Sequence, residues 1–143
     1  MKVTSTKLVG VLVIEPQVFS DERGFFIESY NNLKYEQAGI KEKFVQDNLS
    51  KSKKGVLRGL HFQRSPHAQG KLVQVIKGRV MDVVVDIRYG SPTYGEHISV
   101  ELSEENKKQI WIPAGFAHGF IALEDDTIFY YKCTDFYNKE FEG

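Results

Sequence analysis

A chain of 143 residues suffices for one domain with its own core and leaves no room for two. Lysine plus arginine number 19 and aspartate plus glutamate 19, so the basic excess on which broad nucleic-acid or anionic-membrane binding rests is missing. Hydrophobic content of 41% excludes a disordered chain, and the single cysteine, Cys133, excludes an internal disulfide or a four-cysteine zinc site and points to a cytoplasmic location.

In chain order, the first apolar run is broken by Glu15 and Pro16, too short to span a bilayer, and predicts a strand over 8–14. A second strand is predicted over 24–30. "NNLKYEQAG" at 31–39 follows as the one helical segment, with an asparagine start and a glycine stop. Another strand is predicted over 44–49. In "KLVQVI", Leu72, Gln74 and Ile76 oppose Lys71, Val73 and Val75; Lys77-Gly78 then predicts a hairpin turn, glycine supplying the positive φ. "RVMDVVVDIR" from Arg79 alternates, with Met81, Val83, Val85 and Ile87 on one face and Val80, Asp82, Val84 and Asp86 on the other. Strands over 97–102, 109–112, 118–123 and 127–133 complete the set, with one further helical turn at 103–108 and loops at 89–95 and 112–119. Many short strands between turn signals predict an all-β sandwich or barrel, and a closed barrel of this size holds one small ligand.

Chemistry concentrates in "LRGLHFQRSPHAQGK" at 57–71, where His61 stands near Arg58 and Lys71. Two cations and an imidazole at a barrel mouth suit an anionic or oxyanion-forming ligand. The Asp82–Asp86 face is either a solvated edge or a core face paired with a buried cation or imidazole. If 118–123 and 127–133 form a hairpin, His118, Phe120 and Ala122 share a face, and Tyr131 shares one with Phe129 and Thr127. "PAGFAH", ending at His118, matches the second signature of the cupin barrels. Metal-binding cupins also need an H-x-H pair, but Gln63 follows His61 at that spacing and His67 lies in a loop. Two imidazoles facing a lysine make a poor metal site, so no metal is expected.

The motifs "FSDERGFFIESYN" (19–31), "FVQDNLSKSKKGVLRGLHFQ" (44–63), "PHAQGKLVQVIKGRVMDVVVDIR" (66–88), "SPTYGEHISVELSEENKKQIWIPAGFAHGF" (91–120) and "FYYKCTDFY" (129–137) occur together and in order. By them the chain resembles the dTDP-4-dehydrorhamnose 3,5-epimerases, metal-free cupins acting on nucleotide-linked 4-keto sugars. The resemblance implies an all-β cupin, a double-stranded β-helix or jelly-roll barrel with one or two short helices, forming a single domain over 1–143. It implies a catalytic set of His61 as base, Tyr131 as acid from the opposite face and Lys71 at the developing oxyanion. Arg23, Glu28, Gln46, Asp47, Asn48, Arg58, His118 and Glu142 are implied as substrate-binding residues.

No cofactor is implied, because the substrate's ketone is the electron sink. The expected partners are a dTDP-linked 4-keto sugar and a second copy of the chain in a homodimer with exchanged N-terminal strands, with no nucleic acid and no membrane. Relatives continue for several dozen residues beyond the position of Gly143, and an aspartate there orients the base; here Asp82 is expected to take that role. Position 136 is phenylalanine where many relatives carry tyrosine. A nucleotide-sugar 3,4-ketoisomerase and a binding cupin without turnover stand as alternatives.

Overall fold

The computed structural model describes residues 1–143 and contains twelve strands and one short α-helix. The strands are β1 (Lys2–Ser5), β2 (Leu12–Glu15), β3 (Val18–Asp21), β4 (Gly24–Ile27), β5 (Gln46–Ser52), β6 (Leu57–His61), β7 (Lys71–Lys77), β8 (Arg79–Asp86), β9 (His97–Ser103), β10 (Gln109–Ile112), β11 (Phe116–Ala122) and β12 (Thr127–Cys133), with α1 at Asn32–Gln37. A six-stranded sheet, β1-β2-β10-β7-β12-β5, faces a four-stranded sheet, β6-β11-β8-β9; β3 and β4 form a separate hairpin. Every paired ladder is antiparallel. The architecture is the cupin jelly roll implied by the motifs.

Period-2 alternation makes the core. Val73 and Val75 of β7, Ile110 and Ile112 of β10, and Phe129 of β12 meet Val80 and Val84 of β8, Leu102 of β9, and Phe116 and Phe120 of β11 between the sheets. Burying each of these side chains contributes about 1.5–3 kcal/mol relative to exposure. Outside the larger sheet, α1 is capped by the Asn31 side chain, which accepts from the Lys34 N–H at 3.1 Å. Its Tyr35 packs with Ile14, Ile40, Leu72 and Trp111, and burial pushes the phenol up to about 12.

Several local expectations change. The 8–14 run is a turn and then a strand: Thr6 Oγ1 lies 3.0 Å from the Leu8 carbonyl and 2.9 Å from that of Val11, so the apolar residues enter the core from a loop. Strands β1 and β3 lie in polar or exposed stretches that carry no alternation signal. Gly78 has the expected positive φ, +86°, yet Lys77-Gly78 is no hairpin turn, because β7 belongs to the larger sheet and β8 to the smaller. The chain turns a corner there, with Gly78 so close to Thr127 that an added Cβ would meet Oγ1 at 2.5 Å. β11 and β12 likewise lie in opposite sheets, so the shared faces assigned to them meet across the interior instead of side by side.

Candidate active site

The barrel interior is open at one end and along the gap between β5 and β6, the edge strands of the two sheets. Two cavity lobes, about 380 and 490 Å³, share Asn48, His61, Lys71 and Tyr131. Volumes of this size suit a bound small molecule. One lobe is completed by Gln46, Phe62, Gln63, Gln69, Tyr137 and Glu142, the other by Ser50, Arg58, His118, Phe120 and Phe129 together with adjacent backbone.

The local sequence explains how each group arrives. Strand β6 bends against β11 with a register shift between His118 and Phe120. Gly59 and Gly119 permit the approach: a Cβ on Gly59 would lie 2.6 Å from the Gly119 Cα. The bend leaves His61 beside His118 at the cavity wall, its side chain 55% exposed. Its Nδ1 lies 3.5 Å from Glu142 Oε1, and Glu142 Oε2 accepts from the Tyr137 hydroxyl at 2.9 Å. Gln63, one turn of the strand period beyond His61, is not a ligand but a strut: its amide donates to the His67 and Phe136 carbonyls and accepts from the Asn138 N–H. It thereby ties the 62–70 loop to the segment after β12.

Lys71 opens β7, only 9% exposed, opposite Cys133 of β12 and Ile112 of β10. Its ammonium makes no hydrogen bond or ion pair within the chain and lies 5.5 Å from the Tyr131 ring centre. Burial lowers its pKa, with Cys133, Asp82 and Glu142 pulling the other way. Burial also raises the pKa of Tyr131, so its phenol keeps its proton at neutral pH, and raises the Cys133 thiol to about 11. Asn48 sits opposite Tyr131 in the β5–β12 ladder.

The alternatives left open for the β8 face are decided by packing. Asp82 and Asp86 are both fully buried. Asp86 caps the 87–95 loop, bonded to Arg88, Ser91 and Thr93, and these partners hold its carboxyl well below the usual range. Asp82 Oδ2 lies 2.6 Å from His118 Nε2. Burial raises the Asp82 pKa against the pull of His118 and Lys71, and its Oδ1 has no partner.

Asp82 was expected to orient His61, and this is corrected: its imidazole partner is His118, because β8 pairs with β11 and has no ladder with β6. Asp47 is also corrected, since alternation turns it outward to Lys132 at 3.2 Å while Gln46 and Asn48 point in. Arg58 reaches the cavity, its Nε donating to Ser52 Oγ at 2.9 Å and its Nη2 to the Lys51 carbonyl at 3.3 Å. Arg23 and Glu28 lie away from this cavity, paired with Asp21 and Lys34 around the exposed β3–β4 hairpin. Residue-by-residue reading missed Ser50, Ser52, Gln69 and Tyr137. The alternation of "QDNLSKS" carried the signal for the two serines. No three His, Cys, Asp or Glu side chains converge as a metal-ligand set, and no helix is long and apolar enough to cross a membrane.

A sequence model of a family described as dTDP-4-dehydrorhamnose 3,5-epimerase matches residues 5–143. The dTDP-4-dehydrorhamnose 3,5-epimerase of Shigella flexneri is 59% identical over 140 residues, covering 97% of this chain and 77% of the relative. Among solved structures, the dTDP-6-deoxy-D-glucose-3,5-epimerase of Legionella pneumophila Philadelphia 1, in complex with dTDP-4-keto-L-rhamnose, superposes with a TM-score of 0.95 at 55% identity over 99% of this chain and 75% of that one. The dTDP-4-dehydrorhamnose 3,5-epimerase of Bacillus anthracis str. Ames, with TDP and PPi bound, superposes at 0.97 with 45% identity, over 99% and 82% of the two chains.

Proposed function

The chain belongs to the dTDP-4-dehydrorhamnose 3,5-epimerase family, and from that premise we propose that it epimerises a dTDP-4-keto-6-deoxyhexose in rhamnose-type deoxysugar biosynthesis, with His61 as base, Tyr131 as acid and Lys71 at the oxyanion. The observation that carries the reading is that His61 stands on the smaller sheet while Tyr131 stands on the larger, both lining the same cavity. Inversion at carbon needs proton removal from one face and delivery to the other, and opposed sheets supply the two faces.

The C4 ketone acidifies the hydrogens at C3 and C5. His61 takes one as a proton, and the electron pair passes through the new C=C bond onto the C4 oxygen. Lys71 meets that oxygen with a buried ammonium whose lowered pKa eases donation of a hydrogen bond or proton. Collapse of the enolate then draws the Tyr131 proton onto the opposite face of the carbon. The histidine ends protonated and the tyrosine ionised, and exchange with water restores both. Positioned proton transfer contributes about 10²–10⁴-fold, and one oxyanion donor about 10²–10³-fold. Arg58 is held outward of the reacting groups to meet the diphosphate.

Arg23 and Glu28 serve the neighbouring protomer in this reading. The hairpin that carries them exposes Phe19, Phe25 and Phe26 at 55%, 61% and 67%, an apolar surface suited to a second copy. Incubating the enzyme with dTDP-4-keto-6-deoxyglucose in D₂O tests the reaction. Deuterium appears at C3, C5 or both, with the product NMR telling which, and the exchange is lost in His61→Ala. Exchange unaltered in His61→Ala, or none in the wild type, refutes it.

A further inference from the structure

The inward face of β5 is polar along its whole length. Alternation points Gln46, Asn48, Ser50 and Ser52 into the barrel while Asp47, Leu49 and Lys51 face out. A barrel strand that fills a core would place Val, Ile or Leu at these positions. Three of the four have protein partners. Gln46 donates to Asn48 Oδ1 at 3.0 Å and accepts from the Tyr137 N–H at 3.0 Å. Asn48 lies 3.7 Å from Cys133 Sγ, and Ser52 accepts from Arg58. The Ser50 hydroxyl is buried with no partner at all, and Ser50 lines the lobe that also holds Arg58, His118 and Phe129. An unpaired buried hydroxyl is costly to keep, and an alanine would remove the cost without leaving a large void.

The strand order says what could reach it. Asn48 pairs in register with Tyr131, at the level of the reacting groups, and Ser52 holds the guanidinium of Arg58. Ser50 lies between them, one inward position, about 7 Å along the strand, from each. A dTDP-hexose carries its diphosphate on C1 and its reacting carbons at C3 and C5. With the ring at Tyr131 and the diphosphate at Arg58, the two polar groups beside C1 are the ring oxygen and the C2 hydroxyl, and of these only the hydroxyl both donates and accepts, as the Ser50 hydroxyl does. We infer that Ser50 hydrogen-bonds the C2 hydroxyl of the hexose and so selects 2-hydroxy sugars over 2-deoxy ones. The assignment rests on the proposed placement of a dTDP-sugar in this cavity.

Binding calorimetry with dTDP, dTDP-glucose and dTDP-2-deoxyglucose tests it without needing turnover. The wild type binds dTDP-glucose about 5- to 10-fold more tightly than the 2-deoxy analogue, the size of one neutral hydrogen bond. Ser50→Ala and Ser50→Val erase that difference, leave affinity for dTDP and dTDP-2-deoxyglucose unchanged, and melt no lower than the wild type. Equal binding of the two hexoses by the wild type, or an equal loss for both in Ser50→Ala, overturns the assignment. The expected binding pattern without any deuterium incorporation refutes the epimerase reading and leaves the Ser50 contact standing; absence of dTDP binding overturns both.

Discussion

Replacing Lys71 with methionine separates catalysis from stability, because the two respond in opposite directions. The side chain is 9% exposed and its ammonium has no hydrogen-bond or ion-pair partner, so the folded protein bears a desolvation cost that methionine removes at nearly constant volume. Replacing an isolated buried charge by a well-packed apolar group is neutral or stabilising, here by about 1 kcal/mol. Under the proposed mechanism the reaction loses its oxyanion donor, a cost of about 3–4 kcal/mol of barrier or about 10²–10³ in kcat. pH divides the two effects further. The folded pKa of Lys71 lies below the ordinary lysine value of about 10.4, so between the two the unfolded chain binds more protons. The Lys71 contribution to stability therefore rises with pH across that window while kcat falls as the ammonium is lost. Tyr35, Tyr131 and Cys133, raised by burial, pull wild type and variant alike the other way, so the difference in stability between the two proteins isolates Lys71. Tyr131 titrates above its ordinary value and does not set this limb. Product formation followed by NMR from pH 6 to about 10.5, beside urea denaturation of both proteins, reads all of this. Lys71→Met is expected to show kcat reduced at least about 100-fold, no loss of stability at neutral pH, and a lead in stability over the wild type that narrows as pH rises through the Lys71 window. A variant that turns over normally, or whose lead in stability over the wild type does not narrow with rising pH, refutes the role given to Lys71.

Asp86 makes the fold acid-sensitive: its folded pKa is depressed, so the stability it contributes is present above the unfolded value of about 3.9 and is lost as pH falls below it. Asp86→Ala is expected to cost about 2 kcal/mol at pH 7, within the range for a buried carboxylate that accepts charged hydrogen bonds, and clearly less at pH 2; a pH-independent cost in urea titrations contradicts this. The β3–β4 hairpin is expected to dimerise the chain, so the wild type sediments as a dimer. The paired change Phe25→Ser with Phe26→Ser is expected to yield a monomer with dTDP affinity weakened about 10-fold or more through loss of the partner's Arg23 and Glu28. A wild-type monomer with full affinity for dTDP refutes it.

Much of the barrel is legible in the sequence because alternation is a local property. A strand with one buried face must place apolar side chains two apart, so β8 and β12 can be located to within a residue or two before any neighbour is known. Alternation also shows that His118 and Phe120 share a face, as do Phe129 and Tyr131. It cannot say what a face meets. Gly78 announces a turn in either geometry, and only packing makes it a corner between sheets instead of a hairpin within one. That corner is what stands Tyr131 across the interior from His61. The pairing of β8 with β11 also brings Asp82 to His118, 36 positions away in the sequence.

The short polar strands β1 and β3 were invisible for the converse reason. Their hydrogen bonds come from partners, and their side chains bury too little to leave a pattern. By itself, then, the sequence determined the strand chemistry and the family's motif residues around His61. Tertiary structure alone decided which sheet each face meets, which imidazole Asp82 holds and that one serine hydroxyl on β5 is left without a partner. Each of these depends on pairings between distant segments, and local side-chain periodicity contains no term for them.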